Sequence, residues 1–148
     1  YHMLPKQTID ALGNRMTAAH DYRLLQPCRL TDPNGNRSEV AFDTLGLVAG
    51  TAVMGKAGET QGDSLADFVV NLTPEQRDAV LADPLTHAAE LLGSAGTRIV
   101  YDLERFQREG EPVFAALLAR ETHASEPAPP GGSTATPSRR SSARCLRA

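Results

Sequence analysis

Asp10-Ala11-Leu12-Gly13-Asn14-Arg15 returns 22 positions later as Asp32-Pro33-Asn34-Gly35-Asn36-Arg37, and the reading of this pair decides the fold. The match continues in phase: His20-Asp21 is answered by Phe42-Asp43, and Leu24-Leu25 by Gly46-Leu47. A period in the twenties points to stacked units. Within each unit Asp-x-x-Gly-Asn-Arg is turn chemistry. The Asp carboxylate accepts from backbone N–H groups just ahead, Gly takes a positive φ without penalty, and Asn tolerates one. Residues 37–42 then alternate, with Val40 and Phe42 on one face and Arg37, Glu39 and Ala41 on the other, as a half-buried strand does. Each unit therefore reads as strand, Gly-Asn turn, strand, and an aromatic-Asp step into the next turn. Stacked units bury their apolar faces mainly against neighbours, so two units and part of a third predict a piece of a larger assembly.

Asp-x-x-Gly-Asn-Arg followed by aromatic-Asp-x-x-Gly resembles the tyrosine-aspartate (YD) repeat of Rhs proteins. Asp21-Tyr22-Arg23-Leu24-Leu25-Gln26-Pro27, Leu30-Thr31-Asp32-Pro33-Asn34-Gly35-Asn36 and Phe42-Asp43-Thr44-Leu45-Gly46 are similar to the B component of insecticidal Tc toxin complexes and its SpvB-like relatives. So are Thr97-Arg98-Ile99-Val100-Tyr101-Asp102-Leu103, Glu111-Pro112-Val113-Phe114-Ala115 and Ala119-Arg120-Glu121-Thr122-His123, and the resemblance extends over about residues 1–123. His20 and Phe42 stand where the repeat prefers Tyr, and Tyr101-Asp102 keeps the signature pair. The repeat signature thus comprises Asp10, Gly13, Asn14, His20, Asp21, Asp32, Gly35, Asn36, Phe42, Asp43, Tyr101 and Asp102.

The resemblance implies a mainly β fold in which hairpins form part of a cocoon-like Rhs/Tc shell around a toxin payload. It implies neighbouring YD-repeat segments and that payload as partners, and a bacterial parent protein that is secreted or released. No stretch matches the family's autoproteolytic aspartates or its toxin segment, so the expected role is structural, without catalysis or cofactor.

Four regions are expected: hairpins over 1–55, a loop and helical insertion over 56–96, closing strands with a third Tyr-Asp step over 97–123, and a tail over 124–148. Gly55 to Asp63 is Gly-rich and polar, hence an exposed loop. Thr73-Pro74-Glu75-Gln76 starts a helix with an N-cap, a first-turn Pro and a capping box, and Asp83-Pro84 ends it. A second helix spans Leu85 to Leu92 and stops at Gly93. Asp63 and Asp67 read as caps for the segment from Leu65 to Val70.

From Ala124 onward the chain is rich in Pro, Ser and Arg, and such composition cannot offset its ordering entropy, which predicts disorder. A shift of reading frame near Pro130 and a flexible linker both account for the change. The tail holds four Arg and one Glu, net +3, leaving 11 basic against 17 acidic residues in 1–123, net −6. An acidic body argues against a nucleic-acid surface. No apolar run approaches the roughly 18–20 residues of a membrane span, and the first residues lack the pattern of a signal peptide. Tyr1-His2-Met3-Leu4-Pro5 does not read as a natural start, because Leu4-Pro5-Lys6-Gln7 resembles a strand entering a YD turn.

Three other chemistries have partial signals in the sequence. Gly50-Thr51-Ala52-Val53-Met54-Gly55-Lys56 matches Gly-x4-Gly-Lys, the loop that cradles nucleotide phosphates, with Asp102 as the strand-end acid for magnesium. Ala57 stands where a metal-binding hydroxyl is needed, and the following residues start a helix poorly. Cys28, His20 and Asp21 contain the groups of a nucleophile, a base and an orienter, but not a geometry. His2, His20, His87 and His123 lack metal-ligand spacing. A repeat face that binds carbohydrate or a protein partner is the alternative to the shell reading, although the chain holds only seven aromatic residues with which to build one.

Overall fold

The computed structural model describes residues 3–126 and, as backbone, 141–147. Its frame is one antiparallel sheet in which every strand pairs with its neighbours in chain order: β1 (Gln7–Ile9), β2 (Arg15–Asp21), β3 (Gln26–Thr31), β4 (Arg37–Phe42), β5 (Val48–Met54), β6 (Thr97–Asp102) and β7 (Phe114–Arg120). An outer strand, β8 (Ser141–Arg147), lies along β7. Successive antiparallel pairing requires only tight reversals, and the Asp-x-x-Gly stretches supply them.

Two helices, α1 (Pro74–Ala82) and α2 (Pro84–Leu92), are inserted between β5 and β6. Both follow the local sequence signals. Thr73 Oγ1 accepts from the Gln76 N–H at 3.2 Å while Gln76 Oε1 accepts from the Thr73 N–H at 3.0 Å, closing a capping box. Asp83 ends α1 and caps α2, accepting from the Thr86 N–H and hydroxyl. A third short helix, α3 (Arg105–Glu109), stands where no helical signal is visible in the sequence. It ends at Gly110 in the left-handed conformation (φ +68°).

The helices cover one face of the sheet at the β6–β7 end. Val80, Ala88 and Leu92 from the helices meet Val100 and Leu118 from the strands in the core, with Leu72, Leu81 and Leu91 packed around it. Following the cross-strand pairs outward from Val100 and Leu118 sorts the two faces of the sheet. The helix-bearing face holds Arg15, Asp21, Arg29, Arg37, Glu39, Arg98, Asp102 and Arg120, which are all the strand charges of β1–β7. The opposite face presents Met16, Ala18 and His20 of β2, Leu30 of β3, and Ser38, Val40 and Phe42 of β4. It continues through Thr51 and Val53 of β5, Thr97, Ile99 and Tyr101 of β6, and Ala115, Leu117 and Ala119 of β7.

Two parts of the stretch over 124–148 are described. Ala124 and Ser125 are tied to the body: the Ala124 N–H donates to Asp63 at 2.9 Å, and Ser125 Oγ accepts from the Gly62 N–H at 2.7 Å. Ser141–Arg147 runs as a strand paired with the whole of β7, from Phe114↔Arg147 to Arg120↔Ser141. The outer edge of β7 would otherwise leave a row of backbone donors and acceptors without a strand partner, and this Pro-free stretch can supply one. Residues 127–140 and 148 lie outside the described residues, as do Tyr1 and His2.

Candidate functional site

Asp10, Asp21, Asp32 and Asp43 recur every 11 residues, one at the start of each hairpin turn. The structural unit is therefore a single strand plus its turn, half the repeat visible in the sequence. In the first turn Asp10 Oδ1 accepts from the N–H groups of Leu12 and Asn14, both at 2.9 Å, and Oδ2 accepts from the Asn14 side-chain amide at 2.8 Å. The second repeats this clamp: Asp32 accepts from the Asn36 N–H at 2.8 Å and its amide at 2.9 Å. Gly13 (φ +83°) and Gly35 (φ +88°) take the left-handed position each turn requires. These bonds, that from the Asn amide foremost, hold both carboxyls below the ordinary Asp range.

The aromatic-Asp steps are themselves turns, not entries to the next one. Asp43 accepts from the N–H groups of Leu45 and Leu47 at 2.9 and 2.8 Å, with Gly46 at φ +87°. Asp21 begins a longer reversal, accepting from the Arg23 N–H at 2.8 Å, in which Leu25 rather than a glycine takes the positive φ (+56°). Because the strands alternate in direction, the turns of Asp10 and Asp32 lie at one end of the sheet. Asp21, Asp43 and Asp102 lie at the other.

At that second end adjacent hairpins are joined laterally. The Arg23 guanidinium donates to the Asp43 and Thr44 carbonyls at 2.7 and 2.8 Å. Tyr101 reaches across the gap where β5 and β6 diverge, its hydroxyl donating to the Val48 carbonyl at 3.0 Å. Burial, with Asp43 nearby, raises the Tyr101 pKa. The three rings of the aromatic-Asp steps, His20, Phe42 and Tyr101, are half-buried and share the uncharged face. The His20 ring stands 6.5 Å from that of Tyr22, tilted by 56°. Asp102 differs from the other four aspartates: it is buried and forms a two-point ion pair with Arg108 of α3 at 3.1 and 2.9 Å. A helix replaces the tight turn there.

Two buried polar centres escaped the sequence reading. Arg98 sits beneath the helices, its guanidinium donating to the Leu91 and Val69 carbonyls at 2.6 and 2.8 Å and lying 3.9 Å from the centre of the Phe68 ring. Burial lowers its pKa to about 10. Its signal was an Arg on the buried parity of Ile99-Val100-Tyr101. Asp63, expected as a loop cap, instead turns inward: it accepts from the N–H groups of Ala124 at 2.9 Å and Val53 at 3.4 Å and faces His123 Nδ1 at 3.3 Å. It thereby binds the end of β5 to the chain following β7.

The alternative chemistries lose their geometry. Thr51 to Met54 belong to β5, Phe68 covers Gly50, and α1 begins only at Pro74, so the Gly-x4-Gly-Lys stretch forms no phosphate cradle. Asp102 is committed to Arg108. His20 lies on the uncharged face and Asp21 on the charged one. Among the described residues no cluster of three His, Cys, Asp or Glu side chains could hold a metal. None of the described helices is long and apolar enough to cross a membrane.

An Asp-clamped antiparallel meander with a helical insertion is the class of structure these observations define. No known protein family matches the chain, and no curated protein matches it. Among solved structures it is similar to the crystal structure of the Tc toxin complex TcdB2-TccC3, at 26% identity and a TM-score of 0.58. The match covers 77% of this chain and 5% of that one. The TcdB2-TccC3-Cdc42 structure matches at 26% identity over 72% of this chain and 5% of that one, with a TM-score of 0.47. The chain is thus Tc/Rhs-like in fold and spans about one-twentieth of the length of these neighbours.

Proposed function

We propose that this chain is a wall segment of a bacterial Tc/Rhs-type toxin shell, built from YD-repeat hairpins and related to the SpvB-like B components. The observation that carries the reading is the 11-residue ladder of aspartate-clamped turns, in a chain similar to part of TcdB2-TccC3. Its work is mechanical: hairpins pair edge to edge with neighbouring segments of the same shell, and the closed wall encloses a payload. The free edge of β1, three residues long, is the strand on which such a neighbour would add. The parent protein is proposed to be secreted or released, with virulence as the outcome.

A chimera tests this reading. Residues 7–123 replace the matched stretch of TcdB2-TccC3, and limited proteolysis follows the fate of the enclosed segment. The proposal predicts an assembled particle whose contents resist protease. A chimera that folds yet leaves its contents digestible contradicts it.

A further inference from the structure

We propose that the uncharged face of the sheet is a self-association surface on which a second copy of this chain packs face to face. This inference stands on the face itself and does not depend on the shell reading.

The first observation is the segregation of charge. From β1 to β7 every Asp, Glu, Lys and Arg in the strands lies on the helix-bearing face, and none lies on the other. A sheet face left to water normally carries alternating polar side chains. Here the charges sit on the face that is partly covered, and the face without cover is made of Ala, Val, Leu, Ile, Met, Ser, Thr and rings.

Burial gives the second. Ala52, Arg98, Val100, Asp102, Ala116 and Leu118, all buried, lie on the helix side. Along the opposite face each position is only half-buried or exposed, and Met16, Leu30 and Val53 are 43, 37 and 53% exposed. With Ser38 they form a continuous row: Leu30 pairs with Ser38, Ser38 with Val53, and Met16 lies diagonally beside Leu30. The row lines a groove of about 490 Å³, with the small Ser38 as its gap and Asp32, Arg37 and His123 at its rim. Exposed contiguous apolar surface of this kind marks an interaction site.

Area and charge together select the occupant. Seven strands about 4.8 Å apart and about five residues long give a face of about 500 Å² in projection. Two copies thus cover about 1,000 Å² before side-chain relief is added, which approaches the roughly 1,200 Å² at which specific interfaces begin. An isologous pair sets each residue against the same patch, so a charged face would meet its own charges. From β1 to β7 this face brings none, and the one strand charge at its margin is Arg144 of β8, the cross-strand partner of Leu117. Two such sheets stacked about 10 Å apart form a sandwich with Met16, Leu30 and Val53 in its core.

Sedimentation equilibrium of the chain and three variants tests the proposal, with circular dichroism and melting temperature recorded for each. Val53→Arg and Leu30→Glu place a charge at exposed positions of the face. Ile9→Pro blocks the outer edge of β1, where the Ile9 N–H points away from β2. The expected result is a dimer for the unsubstituted chain and for Ile9→Pro, and at least a tenfold weaker dimer for Val53→Arg and Leu30→Glu with unchanged dichroism. A chain that stays monomeric overturns the proposal. So does a dimer that Ile9→Pro dissociates and Val53→Arg does not, which would be edge pairing, or one unaffected by all three.

Discussion

Phe68 occupies the space that a side chain at Gly50 would fill: a Cβ built on Gly50 would collide with the tip of its ring. The ring's face carries the Arg98 guanidinium, and Gly50 and Arg98 are cross-strand partners, so glycine, ring and cation form one stack under the helices.

Gly50→Val should therefore expel Phe68 and remove the support of Arg98. Overpacking of this kind costs about 1–3 kcal/mol. Chemical denaturation measures the loss, and hydrogen exchange should rise in β5 and β6 before the hairpins of β1 to β3.

Removing Arg98 strands a carbonyl. Arg98→Met keeps much of the side-chain volume but leaves the half-buried Leu91 carbonyl without its donor, at about 1–3 kcal/mol, while water replaces the donor at the exposed Val69 carbonyl. A melting temperature unchanged within a degree would contradict this account of the stack.

The clamps predict a pH dependence. Asp10 and Asp32 have folded-state pKa values below the ordinary 3.8, with the Asn14 and Asn36 amides as the leading causes. A depressed carboxyl pKa contributes stability that is present above the unfolded value and lost as pH falls through the folded one. Hairpin order should therefore decline below about pH 4, the unfolded Asp range. Asn14→Ala and Asn36→Ala should move that decline to higher pH, read as amide shifts of Gly13 and Gly35 in an acid titration.

Asp63 should behave as a knot rather than a cap. Asp63→Ala frees the N–H groups of Val53 and Ala124 and detaches the segment after β7, with a cost of about 2 kcal/mol. Gly96→Ala acts on the same point, because its Cβ would stand 2.5 Å from Asp63 Oδ2. Both variants should expose 121–126 to protease while the first three hairpins stay protected.

Much of this was legible in the sequence, for identifiable reasons. The clamps of Asp10 and Asp32 depend on side chains within five residues of one another, so the turn motif shows them directly. Thr73-Pro74-Glu75-Gln76 and Asp83-Pro84 fixed both helices by the same local chemistry. Phe42-Asp43 reads as a lead-in from sequence alone, because the strand partner of Phe42, Val48, lies beyond a bulge that the sequence does not mark. Arg98, Asp63 and the Asp102–Arg108 pair were missed because their partners lie 6 to 61 residues away and are chosen by packing.

The central claim, that these clamped hairpins are one stretch of a continuous shell wall, is tested most directly by electron cryomicroscopy of the TcdB2-TccC3 chimera. The account predicts unbroken sheet density through the substituted stretch, with Asp10 and Asp32 turns on one margin of the strands and Asp21 and Asp43 turns on the other. A substituted segment that folds as a separate lobe, leaving the wall interrupted, would contradict it.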